Sequence, residues 1–354
     1  MEELLAAWDG ESVSMHRDRD TGTWMLVAVH STLLGPAAGG TRMKHYPSLA
    51  GALQDAMRLS EAMSLKFACV DFPHGGGKAV IALPTPEIPR GDARRRLLHE
   101  FGAFVRSLGG LYSCAPDMNT SAEDMDVIAE VCPFVFCKTE RAGGSGDTAP
   151  DTSVGVLHGI RAACRYAFGS EDLSARTVLV QGAGGVGGRL IELLRESGAR
   201  VIATDVDAAR VAALRNHGIE TVAPEAALGT ECDVLSPCAT GGVLNARSIP
   251  ALRCRVVAGG ANNQLEGPRD ADLLRERGIV YAPDFVINAG GVLHGGGLEE
   301  QRWTRATLDA RLAGIGDVIY EILQRADADA ISTDAAARRI AEGRIGAASA
   351  KPRA

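Results

Sequence analysis

Residues 177–205 read TVLVQGAGGVGGRLIELLRESGARVIATD. The opening TVLVQ predicts a buried strand, and Gly182, Gly184 and Gly187 follow it as G-x-G-x-x-G. A helix is predicted to about Ser197, and RVIATD supplies a second strand ending at Asp205. Strand, glycines, helix, strand and acid in this order predict a dinucleotide-binding unit. The glycines permit a tight turn and let backbone approach a pyrophosphate, whose charge the helix N-terminus stabilises. A carboxylate at Asp205 accepts hydrogen bonds from both ribose hydroxyls and repels a 2′-phosphate, which favours NAD over NADP. Arg210, a turn later, is a cation that weighs against that preference.

Towards the C-terminus, CDVLSPCA (232–239), RVVAGGANN (255–263) and IVYAPDFVINAGGV (279–292) each predict a strand running into a polar or glycine-rich loop. In an open parallel sheet, ligands bind at the carboxyl ends of the strands. Cys238, Ala239, Asn262 and Asn288 fall at that edge and are candidates to face a cofactor together with Gly182, Gly184, Gly185, Val186, Gly187 and Asp205, although each asparagine taken alone reads as well as a turn former. Helices over about 303–325 and 333–343 close the chain, and residues 346–354 are expected to be disordered. RAGGSGDTAP (141–150) is the clear composition shift and predicts a hinge, with Asp151 or Thr152 capping the helix beyond it. The expected division is 1–140 for substrate binding and oligomerisation, 141–325 for NAD, and 326–354 for a helix returning to the first domain plus a tail. The fold class is α/β: an N-terminal α/β domain, a doubly wound Rossmann-type parallel sheet, and a cleft between them.

Towards the N-terminus, residues 12–17 and 24–30 predict a hairpin, and LGPAAGGTRM (34–43) reads as a loop in which Gly39 and Gly40 permit close approach. A helix is expected from Pro47 to about Ser64, and another over 90–108 with arginines on its wet face. Between them lies KFACVDFPHGGGK (66–78), in which Phe67–Val70 reads as a buried strand and three glycines precede Lys78. Lys66 and Lys78 brought close together would lower each other's proton affinity, so that one could serve as a base. Taken alone, a surface lysine after a flexible loop explains the stretch better. Asp117, in PDMNT (116–120), reads equally as a turn residue or as a carboxylate aimed into a cleft.

The chain has 354 residues, enough for two domains, with 46% hydrophobic and 23% charged residues. A net charge of −7 argues against nucleic-acid and anionic-membrane partners. Its eight cysteines have no C-x-x-C spacing and no neighbouring histidine cluster, so no metal site is expected. The N-terminal residues lack a basic and apolar leader, and a cytoplasmic protein is expected. GGGK is not a phosphate-binding P-loop, because Ala79 follows the lysine and Phe72 stands where glycine is required.

GPAAGGTR (35–42), GGGK (75–78), PDMNT (116–120), GGVGG (184–188), GANN (260–263) and PDFVINAGG (283–291) together resemble the glutamate/leucine/phenylalanine/valine dehydrogenase family, over roughly residues 8–343. The resemblance implies an oligomeric, NAD-dependent enzyme that deaminates an L-amino acid to a 2-oxo acid and ammonia. It implies that Lys66, with the Gly39–Gly40 backbone, binds the substrate carboxylate. Lys78 would activate water, Asp117 would shuttle protons, Asn262 would lie near nicotinamide and substrate, and Asn288 at the cofactor edge. The three glycines would be the space where substrate meets backbone. Met63 or a neighbour stands where a glutamate enzyme needs a cation, so glutamate is disfavoured. Ala38, WDG and the STLLGPAAGG run point to phenylalanine or another large apolar amino acid. HGGGKAVI instead resembles valine dehydrogenases, so a leucine or valine enzyme is the alternative, and a non-catalytic NAD-binding regulator is the more distant one.

Overall fold

A computed structural model describes residues 2–349. The chain divides into two compact units: the first runs to Asp147 and adds Gly295–Arg302 and the residues from Ala341 on, and the second comprises Thr148–His294 and Trp303–Ile340. The division expected between 140 and 141 thus falls between Asp147 and Thr148. The excursion at 295–302 had no counterpart in the expected division.

The first unit opens with a short helix α1 (Glu2–Ala6) and a hairpin of β1 (Ser12–Arg17) and β2 (Trp24–Ser31). Next come β3 (Ala37–His45), α2 (Leu49–Cys69), β4 (Gly75–Leu83), α3 (Gly91–Ser107), β5 (Tyr112–Pro116) and α4 (Ala122–Ala129). The five strands form one mixed sheet in the order β1-β2-β4-β3-β5, antiparallel across β1, β2 and β4 and parallel across β4, β3 and β5. Alternation along the strands gives each face its own core. Leu26, Ala28, Val80 and Ala82 meet Leu53, Ala56 and Met57 of α2. Met25, Val27, Ala79 and Ile81 meet Leu97, Phe101 and Val105 of α3 and Met125 and Ile128 of α4.

Two expectations are corrected here. Residues 37–45 form a strand in the middle of the sheet, although glycine and alanine are poor strand formers. Its backbone is paired on both sides, by β4 and by β5, and that pairing outweighs propensity. Phe67–Cys69 are the last turn of α2, not a strand, and Lys66 is therefore a helical residue. The four-residue apolar run is too short to separate a strand from a buried helix end.

The second unit begins with α5 (Ala149–Phe168), whose N-cap position is Thr148, without a side-chain capping bond, rather than Asp151 or Thr152. It continues through β6 (Thr177–Gln181), α6 (Gly185–Glu196), β7 (Arg200–Thr204), α7 (Ala208–Asn216), β8 (Glu220–Thr221), β9 (Val234–Pro237), β10 (Val256–Val257), α8 (Pro268–Glu276) and β11 (Val280–Tyr281). These strands make a wholly parallel sheet in the order β11-β10-β9-β6-β7-β8. The order reverses between β6 and β9, the switch point of a doubly wound sheet. The third expected strand stops at Tyr281, and α9 (Asp284–Ile287) follows it, then α10 (Gly290–Glu299), α11 (Arg305–Ala328) and α12 (Thr333–Ser349). Residues 346–349, expected to be disordered, belong to α12; residues 350–354 lie outside the described residues. Arg344 of α12 donates to the carbonyls of Ala68 and Cys69 at 2.8 and 2.6 Å, closing the C-terminal end of α2. Among the described residues, no helix is long and apolar enough to cross a membrane.

Candidate active site

β3, β4, α2 and the turn after β5 bring together the expected substrate residues of the first unit. Lys78 lies on the face of β4 that also carries Val80 and Ala82, the face α2 covers. Its Nζ donates to Asp117 Oδ2. Both side chains are largely buried, at 6% and 15% exposure. Gly40 makes room for this pair: a Cβ there would lie 2.8 Å from Asp117 Cβ, 2.9 Å from Lys78 Nζ and 2.9 Å from the Pro116 carbonyl. A Cβ at Gly39 would fall on the Gly77 carbonyl and 3.5 Å from Met63 Cγ. The Tyr112 hydroxyl donates to the Gly39 carbonyl at 2.6 Å and fixes that peptide.

The PDMNT turn holds Asp117 in place. Its backbone N–H donates to Thr120 Oγ1, which in turn donates to the Thr41 carbonyl at 2.8 Å. Asn119, in the left-handed region at φ 62°, donates through Nδ2 to the Met43 carbonyl at 2.9 Å. The Met118 N–H donates to Asp117 Oδ1. Asp117 is thus both a turn residue and the partner of a buried lysine.

Lys66 is buried in the last turns of α2. Burial pushes the Lys78 ammonium well below the ordinary lysine range, and the charges of Arg42 and Lys66 push it further in the same direction. Asp55 opposes them.

The triple glycine is not open space. A Cβ at Gly76 would strike the backbone N and Oγ of Ser64 and the Ser60 carbonyl, and a Cβ at Gly77 would strike the Tyr112 ring. These glycines let α2 and Tyr112 press against β4. The expectation that substrate fills them is corrected. The glycines at 295 and 296 likewise lie inside α10, where a Cβ would meet Cys137 Sγ or the Phe72 ring.

Three polar residues of this site were not read from the sequence: Arg42, Asp55 and Tyr46. Arg42 donates to Asp55 Oδ2 at 2.9 Å and approaches Asp117 Oδ1 at 3.5 Å. Recognising β3 as a strand would have exposed the signal, since Gly40 and Arg42 share a strand face. Asp55 and Lys66 likewise share one face of α2, three turns apart.

In the second unit, Gly182 sits at the end of β6 with φ 99°, its N–H donating to the Thr204 carbonyl at 2.8 Å. Gly184 caps α6. A Cβ at Gly187 would fall on the Gly182 carbonyl, so the helix can approach the turn only with glycine there. Gly185 and Val186 are the first residues of α6. Asp205 is buried, and its oxygens accept from the N–H groups of Ala183 and Asp207 at 2.7 and 2.9 Å. Burial opposes its ionisation, but those two amides and Arg210, at 3.5 Å, outweigh it and hold the carboxyl below its ordinary range.

Across the switch point, Cys238 donates its N–H to the Gln181 carbonyl, and Gly260 donates to Cys238 Sγ. The Ala239 methyl lies 2.7 Å from where a Gly182 Cβ would be. Asn288, at the C-terminal end of α9, donates to Asn262 Oδ1 at 2.7 Å and approaches the Gly260 carbonyl at 3.3 Å. The two asparagines expected from separate strand ends therefore meet, although Asn288 is presented by a helical turn.

This cradle fits NAD. The glycine turn leaves room for a pyrophosphate at the start of α6. The ionised Asp205 retains lone pairs for ribose hydroxyls, since each oxygen accepts one amide. Among the described residues, no group of three histidine, cysteine or acidic side chains could hold a metal ion.

Comparison with known proteins agrees with this architecture. Residues 12–133 match the family described as "Glu/Leu/Phe/Val dehydrogenase, dimerisation domain", and residues 143–209 and 204–351 match "Glutamate/Leucine/Phenylalanine/Valine dehydrogenase". The chain is 41% identical to a leucine dehydrogenase of Geobacillus stearothermophilus over 342 residues, covering 96% of this chain and 92% of that protein. It is 42% identical to a valine dehydrogenase of Streptomyces coelicolor over 353 residues, covering 97% and 93%. The crystal structure of L-tryptophan dehydrogenase from Nostoc punctiforme superposes with a TM-score of 0.82 at 34% identity, covering 99% of this chain and all of that one. The chain belongs to the glutamate/leucine/phenylalanine/valine dehydrogenase family.

Proposed function

We propose that this enzyme, an NAD-dependent L-amino acid dehydrogenase, acts on leucine or valine, converting them reversibly to the 2-oxo acid and ammonia. The sequence resemblance favours phenylalanine over the branched-chain alternative, and that expectation gives way, because leucine and valine dehydrogenases are among the relatives about 40% identical to this chain. Met63 beside the Gly39 backbone supports an apolar side chain at the same point and disfavours glutamate.

The observation that carries the chemical reading is the buried Lys78–Asp117 pair packed against Gly40. In this reading Lys66 holds the substrate carboxylate beside the Gly39–Gly40 backbone. When bound, NAD⁺ accepts hydride from the α-carbon. Lys78, whose proton affinity burial has lowered, removes a proton from the water that adds to the iminium carbon. A lysine of ordinary pKa, about 10.4, would stay protonated near neutral pH and be a poor base. Asp117 takes a proton from the substrate ammonium before hydride leaves and returns it to the carbinolamine nitrogen, so that ammonia departs, the hydroxyl proton passes to solvent and the carbonyl forms. Asn262 and Asn288 orient substrate and cofactor amides, and Gly182, Gly184, Gly185, Val186, Gly187, Asp205, Cys238 and Ala239 hold the nucleotide.

The dimerisation-domain match over residues 12–133 supports self-association as a homo-oligomer. The eight free cysteines fit a reducing, cytoplasmic setting. The test is NADH formation with Leu, Val, Ile, Phe, Tyr, Trp and Glu, run with NAD⁺ and NADP⁺. Leucine or valine with NAD⁺ is expected to give the highest kcat/KM, and a preference for phenylalanine would overturn the substrate reading. Lys78→Ala should bind NADH and lose turnover; near-normal rates would overturn its role.

A further inference from the structure

Arg42 is 11% exposed and forks between two acids. One terminal nitrogen donates to Asp55 Oδ2 at 2.9 Å, and the other approaches Asp117 Oδ1 at 3.5 Å. Asp55 is held in turn by the Tyr46 hydroxyl at 2.7 Å and by Arg58 at 3.0 Å. Lys44 lies over the Tyr46 ring, 4.4 Å from its centre. Arg42 Nε, by contrast, is buried without a hydrogen-bond partner.

Resting on the roles assigned above to Lys78 and Asp117, we propose that Arg42 is a positioning residue for the reaction. It braces Asp117 through the carboxylate oxygen that Lys78 does not use, and it supplies the fixed positive charge against which Lys78 works as a base. A guanidinium suits this task because it stays charged at any working pH and spans two carboxylates in a planar fork.

The surrounding charges support the assignment. β3 contributes Arg42 and Lys44, α2 contributes Asp55, Arg58 and Lys66, and the turn after β5 contributes Asp117. Tyr112 of β5 is uncharged, its proton affinity raised by burial. Asp55 and Asp117 balance Arg42 and one lysine, so a second ammonium in this buried layer is in excess. After burial itself, Arg42 contributes most to lowering the proton affinity of Lys78, ahead of Lys66, while Asp55 acts in the opposite sense. Arg58 is half exposed, so water screens its charge.

The experiment is the pH dependence of kcat/KM for leucine oxidation in Arg42→Gln, Arg42→Lys and Asp55→Asn, with folding checked by circular dichroism. Lys78 must be unprotonated to act, so the rate rises with pH through its pKa. Arg42→Gln removes a cation and should move that limb to higher pH by about one unit or more. Asp55→Asn removes an anion and should move it to lower pH. Arg42→Lys should leave the limb near its original pH but lower kcat, because a compact ammonium cannot hold both acids. General loosening of the site would not give shifts of opposite sign. Limbs that stay put, or that move the same way in Arg42→Gln and Asp55→Asn, would overturn the proposal. If Arg42→Gln does not fold, an unmoved limb in Asp55→Asn suffices to overturn it. Lys78→Ala separates the two levels. If it is inactive while those limbs are unmoved, Arg42 alone has been misassigned; if it is active, the site reading itself fails.

Discussion

Gly40→Ala should damage catalysis far more than stability. The added methyl would sit 2.8 Å from Asp117 Cβ and 2.9 Å from both Lys78 Nζ and the Pro116 carbonyl, where ordinary contact begins at 3.4 Å. Each neighbour must move by about half an ångström. The Pro116 carbonyl is strand backbone paired to β3, so the two side chains must yield. Catalytic groups tolerate misplacement of about 0.5 Å, and about 1 Å costs on the order of 10²-fold. The expected loss in kcat is therefore about 10- to 100-fold, or about 1.4–2.7 kcal/mol in activation free energy. Overpacking should cost about 1–3 kcal/mol of stability, leaving folded protein to measure. The assay is steady-state leucine oxidation beside an NADH titration and a thermal melt. Gly76→Ala is the contrasting control: its methyl would strike the backbone of α2 at Ser60 and Ser64, so folded yield, not kcat, should collapse. A Gly40→Ala enzyme with normal kcat would refute the reasoning that Lys78 and Asp117 act from these positions.

Asp205→Ser removes the carboxylate that repels a 2′-phosphate while Arg210 stays nearby, so the ratio of kcat/KM for NAD⁺ over NADP⁺ should fall; an unchanged ratio would count against the ribose role. Arg344→Ala removes two charge-assisted bonds from the last carbonyls of α2, and a melting scan should register a loss of about 1–3 kcal/mol. Asp151 accepts from both nitrogens of Arg305 and interacts with His294 Nδ1. Burial works against its ionisation, but His294 and Arg305 bring its pKa down to about 2 from an ordinary 3.8. A carboxyl depressed on folding stabilises the protein above the ordinary value and loses that contribution as pH falls through the lowered one. Stability of about 2 kcal/mol should therefore disappear between about pH 4 and pH 2. Acid titration of Asp151→Asn should lack that step.

The second unit was legible because its chemistry is local. Gly182, Gly184, Gly187 and Asp205 lie within one βαβ unit, and their spacing encodes the turn, the helix start and the strand end directly. The first unit was less legible because its determinants are long-range. β3 is a strand only because β4 and β5 flank it, and nothing in AAGGTRMKH announces those partners. The apolar run at 67–70 fits a helix end as well as a strand, and only packing beneath β4 decides between them. Gly75–Gly77 suggested space for a ligand, yet the Ser31 and Gly35 carbonyls, Ser60 and Ser64, and the Tyr112 ring occupy the positions that their side chains would take. Arg42 and Asp55 stayed hidden for the same reason: Arg42 matters by meeting Asp117, far away in sequence, and Asp55 by holding Arg42. Lys66, Lys78 and Asp117 carried recognisable motifs but no geometry of their own.

The way the first unit is assembled has a consequence for synthesis. Glu299 accepts hydrogen bonds from Cys137 and Ser145, Glu300 pairs with His74, and Arg344 closes α2. The first unit thus cannot complete its packing until Arg344 has been synthesised. Thr148–His294, with the whole parallel sheet inside it, has its strands in hand much earlier. The second unit likewise takes in Trp303–Ile340, so the usual order, in which the domain made first folds first, should give way to near-simultaneous completion of both. Until release, the nascent first domain would expose the end of α2 and the hydrophobic surface around Phe72, a natural target for chaperones.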